Sequence, residues 1–247
     1  MTTLVVTSFS AKGYEEYGKE FLQCWSWFWG NSGAELLVCH EGEYHDGPWH
    51  TFDLRQDTAL HSFKNRHASR RASGREHFSG WRSKELRTGY SYRFDAVKFS
   101  HKVFAQNHAS IHYNHDRLIW LDADVRTLAP ITPEVLDLIL PPGYDTSRLA
   151  RKRKHTETGV VGYRGVAGRL VLARMANYYT TGRVFQLPEW HDCAVYDQVC
   201  DEARPELRVF DIVRTTNGHP LTVSPLNPWL DHLKGDRKTL GYSPERK

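Results

Sequence analysis

The sequence predicts an α/β fold: a mixed, mostly parallel central sheet flanked by helices. Two observations carry this. The chain opens with an apolar, β-branched run at 4–9 (LVVTSF), a stripe of Tyr14, Tyr17, Phe21, Trp25 and Phe28 at helical spacing, and a second apolar run at 35–40 (ELLVCH). Strands joined by a helical crossover pair in parallel, so β–α–β at the start implies a parallel sheet. Further on, the run at 117–125 (RLIWLDADV) is apolar until it stops at acidic residues, as a buried strand does when it leaves a sheet at its ligand-binding edge. At 247 residues the chain suits one domain, since α/β domains run to about 250 residues.

The remaining elements follow in order. Residues 42–89 are polar, basic and irregular, with a helix possible over 57–70. This is long for a connection and reads as a functional insertion, either a lid or an acceptor platform. Phe94, Val97, Phe99, Val103 and Phe104 are at roughly helical spacing and predict a helix over 94–110. In TPEVLDLIL, Thr132 is placed as N-cap, Pro133 as first helical residue, and Pro141 lies beyond the end. After the basic run 148–155, read as a loop, TGVVGY at 158–163 is a strand. Residues 166–179 and 192–203 are helices, and 207–213 is a late strand. From Thr215 the tail is rich in Gly, Pro and Asn and reads mostly as loop. No internal repeat or low-complexity linker divides the chain.

Composition narrows the classes. No run approaches the roughly 18 apolar residues of a membrane span. The opening stretch lacks the basic region and long apolar core of a secretory signal, and Cys24, Cys39, Cys193 and Cys200 form no CxxC pair. A reduced, cytoplasmic location is the expectation. There is no Walker loop, no GxGxxG after the first strand and no GxSxG, so kinase, nicotinamide-dehydrogenase and α/β-hydrolase functions lose their usual support. The net charge is only +4, but 64–102 holds 11 Lys and Arg against 3 Asp and Glu, and 148–155 reads RLARKRKH. Such blocks favour phosphate-rich partners; a solvated basic face is the alternative.

The sharpest motif is Asp122-Ala123-Asp124. Two carboxylates two residues apart, as a strand exits the sheet, share one face. They suit a hard divalent cation whose coordination substrate phosphates complete. The alternative is one Asp capping the next loop and the other in solvent. In DHLKGDRK (231–238), His232 offers a third, nitrogen ligand for Mn²⁺ or Mg²⁺, with a slight tilt to Mn²⁺. Lys234 offers charge-assisted bonds to a diphosphate, and Gly235 allows backbone amides to approach it. An exposed basic tail is the alternative there.

Taken in order, LVVTSF, YRFDAVKFSHK, LIWLDADV, TETGVVGY, WHDCAVYD and DHLKGDRK resemble a GT-A fold glycosyltransferase, the nucleotide-sugar-dependent class with a DxD metal motif. The pieces span almost the whole chain except 42–89. The resemblance implies a divalent metal on Asp122, Asp124 and His232, bridging the donor diphosphate. It places Thr7, Ser8 and Phe9 where the class receives the nucleotide base. Arg93, Asp95 and Lys98 fall in the segment that contacts base, ribose or phosphates, although an Arg93–Asp95 ion pair is an alternative. Small stand-alone chains of this kind are similar to those of phages.

Sugar transfer needs a group that positions or deprotonates the acceptor hydroxyl. Asp192 is the first choice and His191 the next, with helix N-capping the alternative for Asp192. Glu157 is a second carboxylate for a donor or acceptor hydroxyl, and Trp190 either stacks on a ring or packs half-buried. The expected activity is hexose transfer from a uridine diphosphate sugar to a hydroxyl acceptor, leaning to 5-hydroxymethylcytosine in phage DNA, which would have to be flipped or accessible. Arg66, Arg70, Arg71, Arg75, Arg82, Lys84, Arg151, Lys152, Arg153 and Lys154 are the expected phosphate contacts. The alternatives are a saccharide, lipid-linked glycan or protein acceptor, a non-catalytic nucleic-acid-binding module, and a metal-dependent nucleotidyltransferase or nuclease.

Overall fold

The computed structural model describes residues 1–42, 47–77, 79, 81–233 and 237–246. Strand β1 (Thr3–Ser10) is followed by α1 (Ala11–Gly13), a π-helical turn (Tyr14–Gly18) and α2 (Lys19–Phe28), which together form one helical run, and then by β2 (Ala34–Glu41). Next come β3 (His50–Asp53), α3 (Thr58–Arg66), α4 (Ser83–Thr88) and α5 (Ala96–His112). The second half comprises β4 (Arg117–Leu121), β5 (Val125–Thr127), α6 (Pro133–Ile139), β6 (Thr146–Arg151), β7 (Val160–Arg164), α7 (Gly165–Thr180), α8 (Asp192–Glu202), β8 (Val209–Thr215), β9 (Leu230–His232) and α9 (Arg237–Leu240).

Seven strands form one sheet in the order β3-β2-β1-β4-β7-β6-β8. The β3–β2, β2–β1, β1–β4 and β6–β8 pairs are parallel, and β7 is antiparallel to both its neighbours. The sheet is therefore mixed and mostly parallel, with β7 alone reversed. Alternation along the strands feeds a core on each face. Leu4, Val6, Leu118 and Trp120 pack with α3, α5, α7 and α8, whereas Val5, Ile119 and Leu121 pack with α2 and α6. Among the described residues, no helix is long and apolar enough to cross a membrane.

Four expectations change. The segment 42–89 is more regular than its composition suggests: β3 adds an edge strand, and Asp57 caps α3 by accepting from Leu60 N at 2.8 Å. His50-Thr51-Phe52-Asp53 shows no apolar run because an edge strand with one partner needs little burial. The run 117–125 is two strands, since the chain turns at Asp122, whose carbonyl accepts from Val125 N at 2.8 Å. The basic run 148–155 begins as β6 rather than loop: Leu149 and Ala150 are buried while the charges lie to either side. Within the tail, β9 pairs with β5.

Candidate functional site

Parallel strands end at one edge of a sheet, and there this molecule opens a cleft of about 1050 Å³. The carboxyl ends of β1 (Ser8, Phe9, Ser10), β2 (Glu41) and β4 (Asp122 onward) reach it. Because β7 is reversed, its amino end arrives at the same edge, so Glu157 and Thr158 join the lining. Helix α5 contributes Lys98, His101 and Lys102 from one face, the N-terminus of α8 contributes Asp192 and Cys193, and the β6–β7 turn contributes Arg151, Arg153 and Lys154.

The β5–β9 ladder sets the motif geometry. Its register pairs Val125 with His232, which carries a tail residue to the strand-exit carboxylates. His232 Nε2 is 2.9 Å from Asp124 Oδ1 and 3.7 Å from Asp122 Oδ2. The ligand atoms of the three residues lie within 4.8 Å of one another. His232 is fully buried, and its Nδ1 stands 3.8 Å from Glu157 Oε1 without a hydrogen-bond partner among the described residues. Gly159 makes this packing possible, since a Cβ there would sit 2.5 Å from His232 Cε1 and 2.7 Å from Nδ1. The donor set of two carboxylates and an imidazole fits Mn²⁺ or Mg²⁺. Three other groups have comparable spacing: His155 with Glu189 and His191, Glu157 with His219 and His232, and His191 with Asp192 and Cys193. The Asp122, Asp124 and His232 group combines two half-buried carboxylates opening to the cleft with a buried imidazole behind them.

A buried ammonium organises the floor. Lys102 Nζ donates to Asp122 Oδ1 at 2.7 Å, to the Thr158 carbonyl at 2.7 Å and to Asp192 Oδ2 at 2.9 Å. Trp120 Nε1 donates to the same Asp122 oxygen at 2.7 Å. Asp122 is thus divided: Oδ1 is occupied by donors, and Oδ2 is turned toward His232. Burial pushes the Lys102 pKa down, but the Asp122 and Asp192 charges outweigh it and raise it above the ordinary value. For Asp192, burial works upward, and Lys102, His191 and Thr158 overcome it and hold the carboxyl below the usual range. Tyr17, also on the cleft wall, is pushed up to about 12 by burial and by the Asp124 and Glu16 charges.

The structure sorts the other expected residues. Ser8, Phe9, Lys98, Asp122, Asp124, Glu157, His191 and Asp192 all line the cleft. Thr7 does not: it is fully buried inside β1. Arg93 is not itself a lining residue: it donates to Glu85 at 3.0 and 2.8 Å and pairs at 3.6 Å with Glu189, which does line the cleft. Asp95 caps α5, accepting from Lys98 N and from the Tyr90 hydroxyl, both at 2.9 Å. The residue that caps α8 is His191, with Asp192 the first helical position. Ala194 N lies 3.4 Å from His191 Nδ1, and His191 Nε2 is 2.7 Å from Glu189 Oε2. Glu157 lies behind His232, with Arg151 at 3.7 Å and His219 at 3.9 Å. Trp190 is core, edge-on to Phe94 and Phe185, with Nε1 donating to Leu187 O. Lys234 and Gly235 lie outside the described residues.

Much of the first basic stretch is spent internally. Lys64 pairs with Glu41 at 3.2 Å, Arg66 donates to the Thr180 carbonyl at 2.7 Å, and Lys102 is buried. Arg82 and Lys98 face the cleft. Sequence reasoning did not single out Lys102, Trp120, Thr158, Tyr17 or His219 as site residues. For Lys102 a signal existed: Lys98, His101 and Lys102, three and four residues apart, form one cationic stripe on the first turns of the helix.

The sequence matches no protein-family model and no curated protein. Among solved structures, apo mouse xyloside xylosyltransferase 1 is similar, at 12% identity over 84% of each chain with a TM-score of 0.48.

Proposed function

We propose that this chain is a single-domain, GT-A-like, metal-dependent glycosyltransferase of the phage type. It transfers a hexose from a nucleotide sugar, a uridine diphosphate sugar foremost, to a hydroxyl of 5-hydroxymethylcytosine in DNA, and acts in the host cytoplasm. One observation carries the reaction class. The β5–β9 register brings His232 onto Asp122 and Asp124 at the open carboxyl edge of the sheet, beside a cleft large enough for a nucleotide sugar. A nucleic-acid-binding module would have no use for that convergence, and the basic segments around the cleft favour DNA over a neutral glycan.

The residues divide the work. Asp122, Asp124 and His232 would hold a divalent cation, which when bound would supply Lewis-acid neutralisation of the diphosphate leaving group. Lys102 keeps Asp122 Oδ1 occupied, so Oδ2 stays directed to the metal side, and it also holds Asp192 ionised. Asp192 Oδ2 is taken up by Lys102 and Thr158, whereas Oδ1 meets only the weaker Cys193 thiol, at 3.7 Å, among its hydrogen bonds to described residues. Asp192 Oδ1 is therefore the oxygen that accepts from an incoming hydroxyl. Its depressed proton affinity makes it an orienting carboxylate more than a strong base. Ser8 and Phe9 meet the nucleotide, and Arg82 and Lys98 add positive charge for its phosphates.

The test is mass spectrometry of nucleosides from hydroxymethylcytosine DNA incubated with enzyme, Mn²⁺ and a panel of nucleotide sugars, with plain DNA and chelator as controls. A hexose-sized gain confined to the modified base and lost with chelator supports the proposal. Nucleoside diphosphate release without DNA modification would redirect the acceptor to saccharides, lipid-linked glycans or proteins. The absence of both products would refute the transferase.

A further inference from the structure

A second cavity of about 470 Å³ adjoins the cleft, lined by Arg148, Arg151, Lys152, Lys154, Arg204 and Arg214 against Asp197 and Asp201. Arg151, Lys154 and His155 line both cavities, so the β6–β7 turn is their common wall. The cations at the back are anchored: Arg148 pairs with Asp211 at 2.7 Å, Arg214 with Asp211 at 2.5 Å and Arg204 with Asp201 at 3.5 Å. On the turn itself, Lys152, Arg153 and Lys154 are exposed, and their side chains make no hydrogen bond or ion pair among the described residues. Arg153 has φ 60°, the sole left-handed non-glycine among the described residues. Glycine is the residue that conformation favours. An arginine kept there, over the catalytic cleft, points to a use for its charge.

We propose that the groove and turn are the backbone track of a polynucleotide acceptor. Lys152, Arg153 and Lys154, with Arg204 and Arg214 behind them, hold successive phosphates while one nucleotide reaches into the cleft. This rests on the DNA-acceptor part of the proposed function. Two adjoining cavities that share a basic wall suit phosphates on either side of a reacting nucleotide, whereas a free phosphate needs only one.

The experiment is fluorescence anisotropy of a short labelled single-stranded DNA with the full chain between roughly 50 and 200 mM salt, where phosphate contacts show as a salt slope. Each contact on a single strand contributes about 0.7 to that slope. Arg153→Gly should lower it by about 0.7, and the Lys152→Ala, Arg153→Gly, Lys154→Ala triple variant by about 2. Arg153→Gly should melt no lower than the parent, because glycine suits the backbone; a purely structural arginine gives the opposite pattern. Unchanged slopes overturn the track. So does weakened binding of uridine diphosphate in place of DNA, which makes the turn a donor clamp, or equal competition by inorganic phosphate, which makes it a lone anion site. Parent protein that releases nucleoside diphosphate from its donor but ignores DNA overturns the track and the DNA acceptor while leaving the transferase standing. DNA binding that depends on these residues, without any sugar transfer, upholds the track and overturns the transferase.

Discussion

Replacing Gly159 by alanine tests the metal cluster at its tightest point. The added Cβ would meet His232 Cε1 at 2.5 Å and Nδ1 at 2.7 Å, whereas ordinary carbon contacts settle near 3.5–4.0 Å, so the ring must retreat by about 1 Å. It has little room to do so: His232 is fully buried, with Asp124 on one nitrogen and Glu157 beyond the other. No left-handed φ is involved, so the effect is steric. Overpacking of this kind costs about 1–3 kcal/mol, or a melting decrease of roughly 2–12 °C for a chain of this size. Moving a ligand by about 1 Å should cost about 10²-fold in donor turnover. The assay is thermal melting, Mn²⁺ titration calorimetry and nucleoside diphosphate release on one preparation. An alanine variant that folds, binds Mn²⁺ and turns over donor like the parent would refute the assignment of His232 as a ligand held by this close approach.

Three further predictions use different readouts. Mn²⁺ at about 100 times its dissociation constant should stabilise the parent by about 2.7 kcal/mol, seen as a raised melting temperature, and Asp124→Asn should erase that increment while keeping the fold. Lys102→Met leaves Asp192 buried without its cation and should destabilise by about 3–5 kcal/mol; denaturant titration should show most of the loss restored in the Lys102→Met, Asp192→Asn pair. At Glu85, burial works upward, but Arg93, the Arg82 amide and Ser91 prevail and set the carboxyl at about 2, below the ordinary 4.5. A depressed carboxyl contributes stability above its unfolded value and loses it as pH falls through the folded value. Glu85→Gln should therefore be less stable than the parent at neutral pH, with the gap closing from pH 4.5 toward pH 2 in equilibrium unfolding.

The sequence by itself determined the parts whose physics is local. The unbroken apolar runs in LVVTSF and RLIWL specify strands with two buried faces, and the aromatic spacing over 14–28 specifies a helix, because side-chain direction repeats every two or every 3.6 residues wherever the chain lies. Asp122 and Asp124 were legible for the same reason, as charges terminating a buried strand. Tertiary structure decided what depends on register and on partners far along the chain. His232 meets Asp124 only because β9 pairs with β5, and the tail carries no periodicity to announce a three-residue strand. Lys102 counted as one more charge in a basic stretch, yet it is buried between Asp122 and Asp192. Arg93 and Asp95 stood in the expected donor segment but were claimed by Glu85 and by a helix cap. A charged side chain does not encode its own partner. Whether it faces solvent, a cap or a cleft is settled by which opposite charge the fold brings within about 3 Å, since an ion leaves water only when paired.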